Sequence, residues 1–540
     1  MALFAMPFAA QGQTPPDAGR TLQDMAQPPG PPPADREVPL PVPPPSPSVA
    51  PGGVEVELQE VTFSGNQLID SATLSRALGE IAGRKFDQAA LFALTERVAQ
   101  AYRLHGYPFV RAFIPPQDVS SGSLRIEVLE GHYGRVQAEG EPWLTQGAQP
   151  FLSVLRSGDP IESTRLERVM LLLDNQPGIS VAPYVSPGAA RGEGNLAVKI
   201  ERRSSWEGEV GYDNTGNQYT GESRLHANLV ANSPFLFGDR VSLRSMVSDE
   251  ELWLGSLDYE LPVGGRGWRA QFGYTQTDYQ LGKQYESLQA TGFAKVASAK
   301  ASYPLLRSQM SNLSAAVGYQ HKWLEDRYKS TDTTQKKTSD SAPFSLQFDH
   351  RDRFIDGGIT YGTLTWTAGR LHLWGAQQEA DSSTARTNGG FNKWNLDVAR
   401  IQRLFGSLSA YGRFSGQWSN KNLDSSERFG LGGVYGVRAY PMGEGTGDRG
   451  WLTQLELRYA IGVVTPFVFY DMGSASINAR PWDANSNAER NLSGRGIGMR
   501  VDYLAWYLDT TVAWRNQGGE ATADSLHRDP RYWVMANYRF

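Results

Sequence analysis

From Trp206 to Phe540 the chain alternates at period two, and nowhere does it hold the roughly 18 to 20 consecutive apolar residues that a membrane-spanning helix needs. Successive side chains of a strand point to opposite faces. Trp268, Ala270, Phe272 and Tyr274 therefore share one face, with Arg269, Gln271 and Thr275 on the other. The same holds for Leu257, Tyr259 and Leu261 against Asp258 and Glu260, and for Leu508, Thr510, Val512 and Trp514 against Asp509 and Arg515. In water this pattern is a half-buried sheet, and in lipid it is a barrel strand. The alternating region is too long for one soluble sandwich of ordinary size, so the expected fold class is an all-β transmembrane barrel of antiparallel strands. Strands of about 10 residues plus turns divide it into roughly 14 to 18, and the preference for even counts makes about 16 the expectation. The closing segment RYWVMANYRF puts Phe540, Tyr538, Ala536, Val534 and Tyr532 on one face, the end expected of an outer-membrane barrel. Polar inserts at 325–341, 377–392 and 478–490 are expected to be extracellular loops.

Composition agrees. The 57 Gly, 23 Tyr, 22 Phe and 14 Trp coexist with a mean hydropathy of -0.43. That combination fits strands with one face in lipid and the other in a wet lumen. The absence of cysteine removes disulfides, thiol nucleophiles and thiolate metal sites. A net charge of -5 with dispersed basic residues leaves no nucleic-acid footprint. The seven histidines are scattered, with no H-E-x-x-H, so no metal site is expected. Gly445, Gly447 and Gly450 fit G-x-G-x-x-G, but a period-two strand, WLTQLELRY, follows where a dinucleotide site requires a helix. With no G-x-S-x-G and no P-loop either, neither an enzyme nor a cofactor is expected.

The N-terminal part is organised differently. Residues 1–10, MALFAMPFAA, read as the apolar core and A-x-A-like end of an export signal without its basic segment. Residues 17–26 suit a short helix with Leu22 and Met25 on one side, too short to stand alone in water. Residues 27–51 are so proline-rich that an extended spacer is expected, making 11–53 a helix plus linker. From Val54 the order becomes strand, helix, helix, strand, strand. Helical stripes fall at Leu74, Ala77, Leu78 and Ile81 and at Leu91, Leu94, Val98 and Tyr102; strands follow near 109–114 and 124–129. The pattern repeats, with stripes at Phe151, Val154 and Leu155 and at Leu166, Met170 and Leu173, then a strand at 196–200. Two α+β units of roughly 75 residues each are implied, at 54–133 and 134–203, ahead of a barrel at 204–540.

Several segments carry a family likeness when taken in order. The first unit contains AYRLHGYPFVRAFIPPQDVSSGSLRIEVLEG, with Tyr102, Gly106, Tyr107, Pro115, Gln117, Gly122, Leu124 and Gly131 at the characteristic positions. LLLDNQPGISV in the second places Leu172, Pro177, Gly178 and Ile179. GYDNTGNQYTGESR and NSPFLFGD follow in the first barrel strands. The chain resembles the two-partner secretion transporters (TpsB type) of the Omp85 superfamily, like the filamentous haemagglutinin transporter. The likeness runs from Val54 to Phe540, and the two α+β units resemble POTRA domains. GLGGVYGVRAYPMG resembles the motif of a long loop that folds back into the barrel. Val437, Arg438 and Tyr440 match it, whereas Ala439 stands where the family usually has glycine, a costly residue if the backbone there is left-handed. In PFVFYDMG, strand parity places Phe467, Phe469 and Asp471 on one face and Tyr470 on the other. A carboxylate on the lipid face is expensive, so Asp471 is expected in the lumen. The resemblance implies that the loop arginine, Arg438, pairs with Asp471; taken alone they read as a solvated loop cation and a turn residue.

The resemblance further implies a monomeric transporter in outer-membrane lipid with its POTRA domains in the periplasm. Its partner would be a secreted TpsA-type passenger, taken up unfolded and exported through the barrel without ATP. A barrel-assembly insertase of the same superfamily and a plain porin are the alternatives. The Pro-rich spacer and two rather than more POTRA-like units favour secretion, and the presence of those units disfavours a porin. Residues 1–53 and the folded-in loop are expected to obstruct the resting pore, since about 16 strands otherwise enclose an aqueous channel.

Overall fold

The computed structural model describes residues 15–28, 30–32 and 50–540. The expected export signal and most of the expected Pro-rich spacer lie outside them. Among the described residues no helix is long and apolar enough to cross a membrane.

A short helix, α1 (Ala18–Asp24), comes first, capped by Asp17, whose side chain accepts from Arg20 N. The first α+β unit packs α2 (Ser71–Leu78) and α3 (Gln88–Leu104) on a three-stranded sheet in the order Glu60–Ser64, Ser123–Glu130, Val110–Phe113. Leu74, Leu78, Leu94, Val98 and Tyr102 bury against Leu124, Ile126 and Val128, as the helical and period-two stripes require. The expected single first strand is broken at Gln59, whose backbone N–H donates to Gly122 O at 2.7 Å, and the piece before it, Val56–Leu58, pairs with Arg84–Phe86. Ile81 lies beyond the end of α2, at whose C-terminus Gly79 takes a φ of 76°.

The second unit repeats the plan with α4 (Pro142–Leu152) and α5 (Ser163–Asp174) on strands ordered His132–Glu139, Glu193–Arg202, Ile179–Pro187. Its core takes in one residue from the barrel, Phe237, which packs against Phe151 and Trp143. Arg168 donates to Pro304 O at 2.6 Å, and Arg269 donates to Gln176 Oε1 at 3.0 Å. The second unit is thus bolted to the barrel rim by apolar and polar contacts together.

Sixteen antiparallel strands form the closed barrel, in which Arg531–Arg539 returns to pair with Trp206–Asp213. Closure leaves no edge unpaired in lipid. Leu257, Phe272, Tyr274, Trp366 and Trp394 face outward and are exposed, while charged partners of the same strands face the lumen. The turns at the end carrying the α+β units are short; the opposite, outer end has the long connections, including α6 (Gly375–Ser383) and residues 420–448. The insert at 325–341 is not a loop. Ser311–Tyr328 and Thr333–Asp352 run on through it, leaving only a turn about Lys329–Thr331. These strands are 18 and 20 residues long and outreach a bilayer, so the outward face of their outer ends meets water, while the inward face carries buried polar groups such as Asp326, Lys337 and Ser339; both faces therefore read as polar.

Candidate functional site in the barrel lumen

Residues 420–448 leave the outer end of strand Leu408–Ser419 and turn back inside the barrel before strand Arg449–Tyr459 begins. The segment is a folded hairpin. Phe429 N and Gly447 N each donate to the other's carbonyl at 2.7 and 2.8 Å, and nearer the tip Gly432 N donates to Glu444 O and Val437 N to Leu431 O. Val437, Ala439 and Tyr440 are buried against Phe467, Phe469, Leu452 and Leu492, so an apolar cluster seats the tip on the inner wall.

Arg438 lies at the centre of that seat. Its Nε and Nη2 each approach one oxygen of Asp471 at 2.8 Å, and its backbone N–H donates to the same carboxylate at 3.1 Å. A planar fork on a carboxylate in this geometry is a strong, directional contact. Its Nη1 reaches Glu456 Oε1 at 2.6 Å, and the guanidinium carbon lies 3.6 Å from the ring centroid of Phe469. Glu456 is shared: Arg458 donates to it at 2.7 Å and Arg500 at 3.0 Å, while Arg500 also binds Asp509 at 2.8 Å. Trp533 Nε1 donates to the Arg438 carbonyl at 2.7 Å, and the Tyr440 hydroxyl lies 2.9 Å from Gln517 O. Asp471 does face the lumen with Phe467 and Phe469, and Tyr470 is exposed on the outer face. Ala439 does not adopt a positive φ, so the feared cost at this position does not arise.

The hairpin also meets α1, which lies within the lumen toward its outer end. Lys337 Nζ sits between Asp17 Oδ2 at 2.8 Å and Asp424 Oδ2 at 2.6 Å. Ala18 N donates to Asp326, Arg20 Nη2 donates to Gly443 O at 2.6 Å, and Gln23 donates to Arg428 O. Helix, loop and wall are thereby tied together by buried charge, which water and salt screen little. Sequence reasoning missed Glu456, Arg500 and Lys337, because period two tells which face a residue takes and not which neighbour it meets. Among the described residues no group of three or more His, Cys, Asp or Glu could hold a metal.

The POTRA-motif residues lie apart from this site, in the α+β units. Tyr102 is buried and its hydroxyl donates to Glu130 Oε1 at 2.7 Å; the same oxygen accepts from Gln67 N and Leu68 N. Burial pushes the Tyr102 phenol well above its usual pKa, and the Glu130 carboxylate adds to the shift. Gly106 ends α3 at a φ of 88°, and its carbonyl accepts from Ser163 N at 2.8 Å, joining the two units. Tyr107 N donates to Tyr102 O. Gln117 pins its loop to the sheet through both Arg125 N and Arg125 O, and also donates to Pro115 O. A Cβ at Gly131 would lie 2.1 Å from Phe109 O, which only glycine avoids. Pro177 O accepts from Ser233 Oγ at 2.6 Å and Gly178 lies beneath Asn232, so this turn is part of the joint with the barrel.

Residues 192–501 match the haemolysin secretion/activation proteins ShlB/FhaC/HecB, and residues 56–131 match the ShlB-type POTRA domain. The chain belongs to the ShlB/FhaC/HecB family. Its relatives include the heme/hemopexin transporter protein HuxB of Haemophilus influenzae, 27% identical over 85% of this chain and 84% of that protein. The outer membrane transporter CdiB of Dickeya dadantii is 24% identical over 85% of this chain and 82% of its own length. The solved structure of CdiB from Escherichia coli has the same fold, with a TM-score of 0.70 at 20% identity and 92% of each chain covered. As a member of this family the chain is an outer-membrane protein that exports a partner protein, with its POTRA region in the periplasm.

Proposed function

We propose that the chain takes up a secreted TpsA-type exoprotein, unfolded, in the periplasm and passes it through the lumen to the cell surface without ATP, working as a monomer. The α+β units carry the first step: the outer strands Val110–Phe113 and Ile179–Pro187 of their sheets offer edges to which an extended passenger segment adds by β-augmentation. The passenger then displaces α1 and threads past the hairpin held by Arg438 and Asp471. Folding outside the cell supplies the direction.

The observation that carries this reading is the occupied lumen. A porin needs an open path, and here α1 and the hairpin are tied into it through Lys337 and Arg438. Such ties are suited to release by an incoming chain. The test is site-specific photo-crosslinking of the exoprotein from lumen-facing position 454 and from position 111, the exposed residue of the edge strand Val110–Phe113, in cells stalled during export. Crosslinks to the passenger at both positions are expected. Crosslinks to other nascent barrels, with none to the passenger, would favour the insertase reading.

A further inference from the structure

A cavity of about 410 Å³ opens between the second α+β unit and the first two barrel strands, lined among others by Trp143, Arg202, Trp206, Ala231 and Phe235. It belongs neither to the lumen nor to the sheet edges. Its position follows from register. Trp206 and Ala231 are direct cross-strand partners at the inner end of the barrel, and the outward residues above them are Val210, Leu225 and Tyr212, all exposed. The cavity therefore sits where the lipid-facing wall of the barrel meets the periplasm.

The Arg202 side chain is exposed, and its guanidinium has no hydrogen-bond or ion-pair partner among the described residues. It is held instead by the ring of Trp143, whose centroid lies 4.6 Å from the guanidinium carbon. Its neighbour Arg203, by contrast, pairs with Asp174 at 3.2 Å. A preorganised guanidinium with all its donors free is suited to phosphate, which it binds through two parallel hydrogen bonds. Around it Trp206 is 59% exposed, Phe235 70% and Leu236 50%. Aromatic and apolar surface of this kind at the rim of a membrane barrel meets the headgroup region, where one end of an indole is apolar and the other wet.

We propose that this cavity binds a phospholipid of the inner leaflet, with its phosphate on Arg202 between Trp143 and Trp206 and its acyl chains along the outward faces of Trp206–Asp213 and Arg224–Asn232. The lipid then packs between the second α+β unit and the strand at which the barrel closes, adding to the joint made by Phe237. An apolar passenger segment is the competing occupant, and the test separates the two.

The full-length protein, purified in mild detergent, is mixed with phosphatidylethanolamine, or with a diacylglycerol of the same chains and no phosphate, and examined by native mass spectrometry. One phosphatidylethanolamine should stay bound to the wild type at collision energies that strip the diacylglycerol. Arg202→Ala should lower that bound fraction about tenfold, the scale of one lost charge-assisted contact. Arg202→Lys should lower it less, and Arg156→Ala, an exposed arginine elsewhere on the same unit, should leave it unchanged. Heat-modifiability on gels reads whether each barrel is folded. A phosphatidylethanolamine with a photoreactive acyl chain should label residues 224–232 in the wild type and not in Arg202→Ala. Wild-type lipid retention by folded Arg202→Ala would overturn the proposal. So would displacement of the lipid by an equal concentration of glycerophosphoethanolamine, which would assign the site to soluble phosphate esters. Crosslinking of the passenger, in place of lipid, from position 235 in cells would assign it to the exoprotein.

Discussion

The methyl group of Ala439 occupies the space that any side chain at position 494 would need: a Cβ on Gly494 would lie 2.6 Å from the Cβ of Ala439. The two residues fit as a pair, the loop giving up glycine while the wall keeps it. Gly494→Ala is therefore expected to lift the tip of the hairpin off the wall, at an overpacking cost of about 1–3 kcal/mol. Barrel amount should hold while secretion falls, and Ala439→Gly in the same chain should restore it. Failure of that second change to restore secretion would mean that Gly494 acts through its own strand and not through Ala439.

Arg438 and Asp471 do not form an isolated pair, and this makes their substitutions unequal. Arg438→Ala leaves Asp471 buried with no cation beside it, a loss on the order of 3–5 kcal/mol. Asp471→Ala leaves Arg438 still bound to Glu456 and stacked on Phe469, so it should be the milder change. The double substitution removes the stranded carboxylate, and its barrel should unfold at a higher temperature on heat-modifiability gels than that of Arg438→Ala alone. Secretion should be sharply reduced in the double variant and in Arg438→Ala. Arg438→Lys should secrete at an intermediate level, since an ammonium lacks the fork. Wild-type secretion by both single variants at normal barrel levels would dispose of the latch.

Much of this was legible from the chain alone because a barrel translates sequence into geometry by a rule of two. Parity put Asp471 on one face with Phe467 and Phe469, and the cost of a carboxylate in lipid turned that face inward; length and strand size bounded the count at roughly 14 to 18, within which the preference for even counts pointed to sixteen. Parity does not carry register, so the meeting of Glu456 with Arg458 and Arg500 could not be read. Nor could the contact of Asp17 with Lys337, which joins residues 320 positions apart and depends on where a seven-residue helix docks. The insert at 325–341 misled for another reason: a strand that leaves the bilayer loses its apolar face and resembles a loop. The family resemblance supplied the pairing of Arg438 with Asp471, which the residues by themselves did not.

The N-termini of α2 and α3 set a pH dependence outside the membrane. Asp70 Oδ1 accepts from Thr73 N and Asp87 Oδ1 from Ala90 N, and these backbone hydrogen bonds hold both carboxyls below their ordinary pKa. A pKa depressed on folding contributes stability that is present above the unfolded value, about 3.9, and is lost as pH falls toward the folded one. Hydrogen exchange at the first amides of α3 in the full-length protein should therefore be steady from pH 7 to pH 5, after correction for intrinsic exchange, and lose protection below about pH 4. Asp87→Asn keeps an acceptor and removes the charge, so it should flatten that dependence; an unchanged dependence would place its origin elsewhere.

Lys337 is buried between Asp17 of the helix segment and Asp424 of the hairpin, so a single ammonium holds two obstructing elements to one wall. Lys337→Ala strands two carboxylates in place of one satisfied cluster, and the cheapest relief is for α1 to leave the lumen, where water solvates Asp17. In planar bilayers the variant should spend more time in high-conductance states than the wild type. A chain beginning at Val54, which lacks α1 altogether, should conduct more steadily still. Adding Lys337→Ala to that shortened chain should raise conductance further only if Asp424 then releases the hairpin, so the comparison separates the two ties. Salt up to about 1 M should have little effect on the fraction of time the wild type spends in high-conductance states, because a buried pair is poorly screened. Equal conductance of the full and shortened chains would remove α1 from the plug.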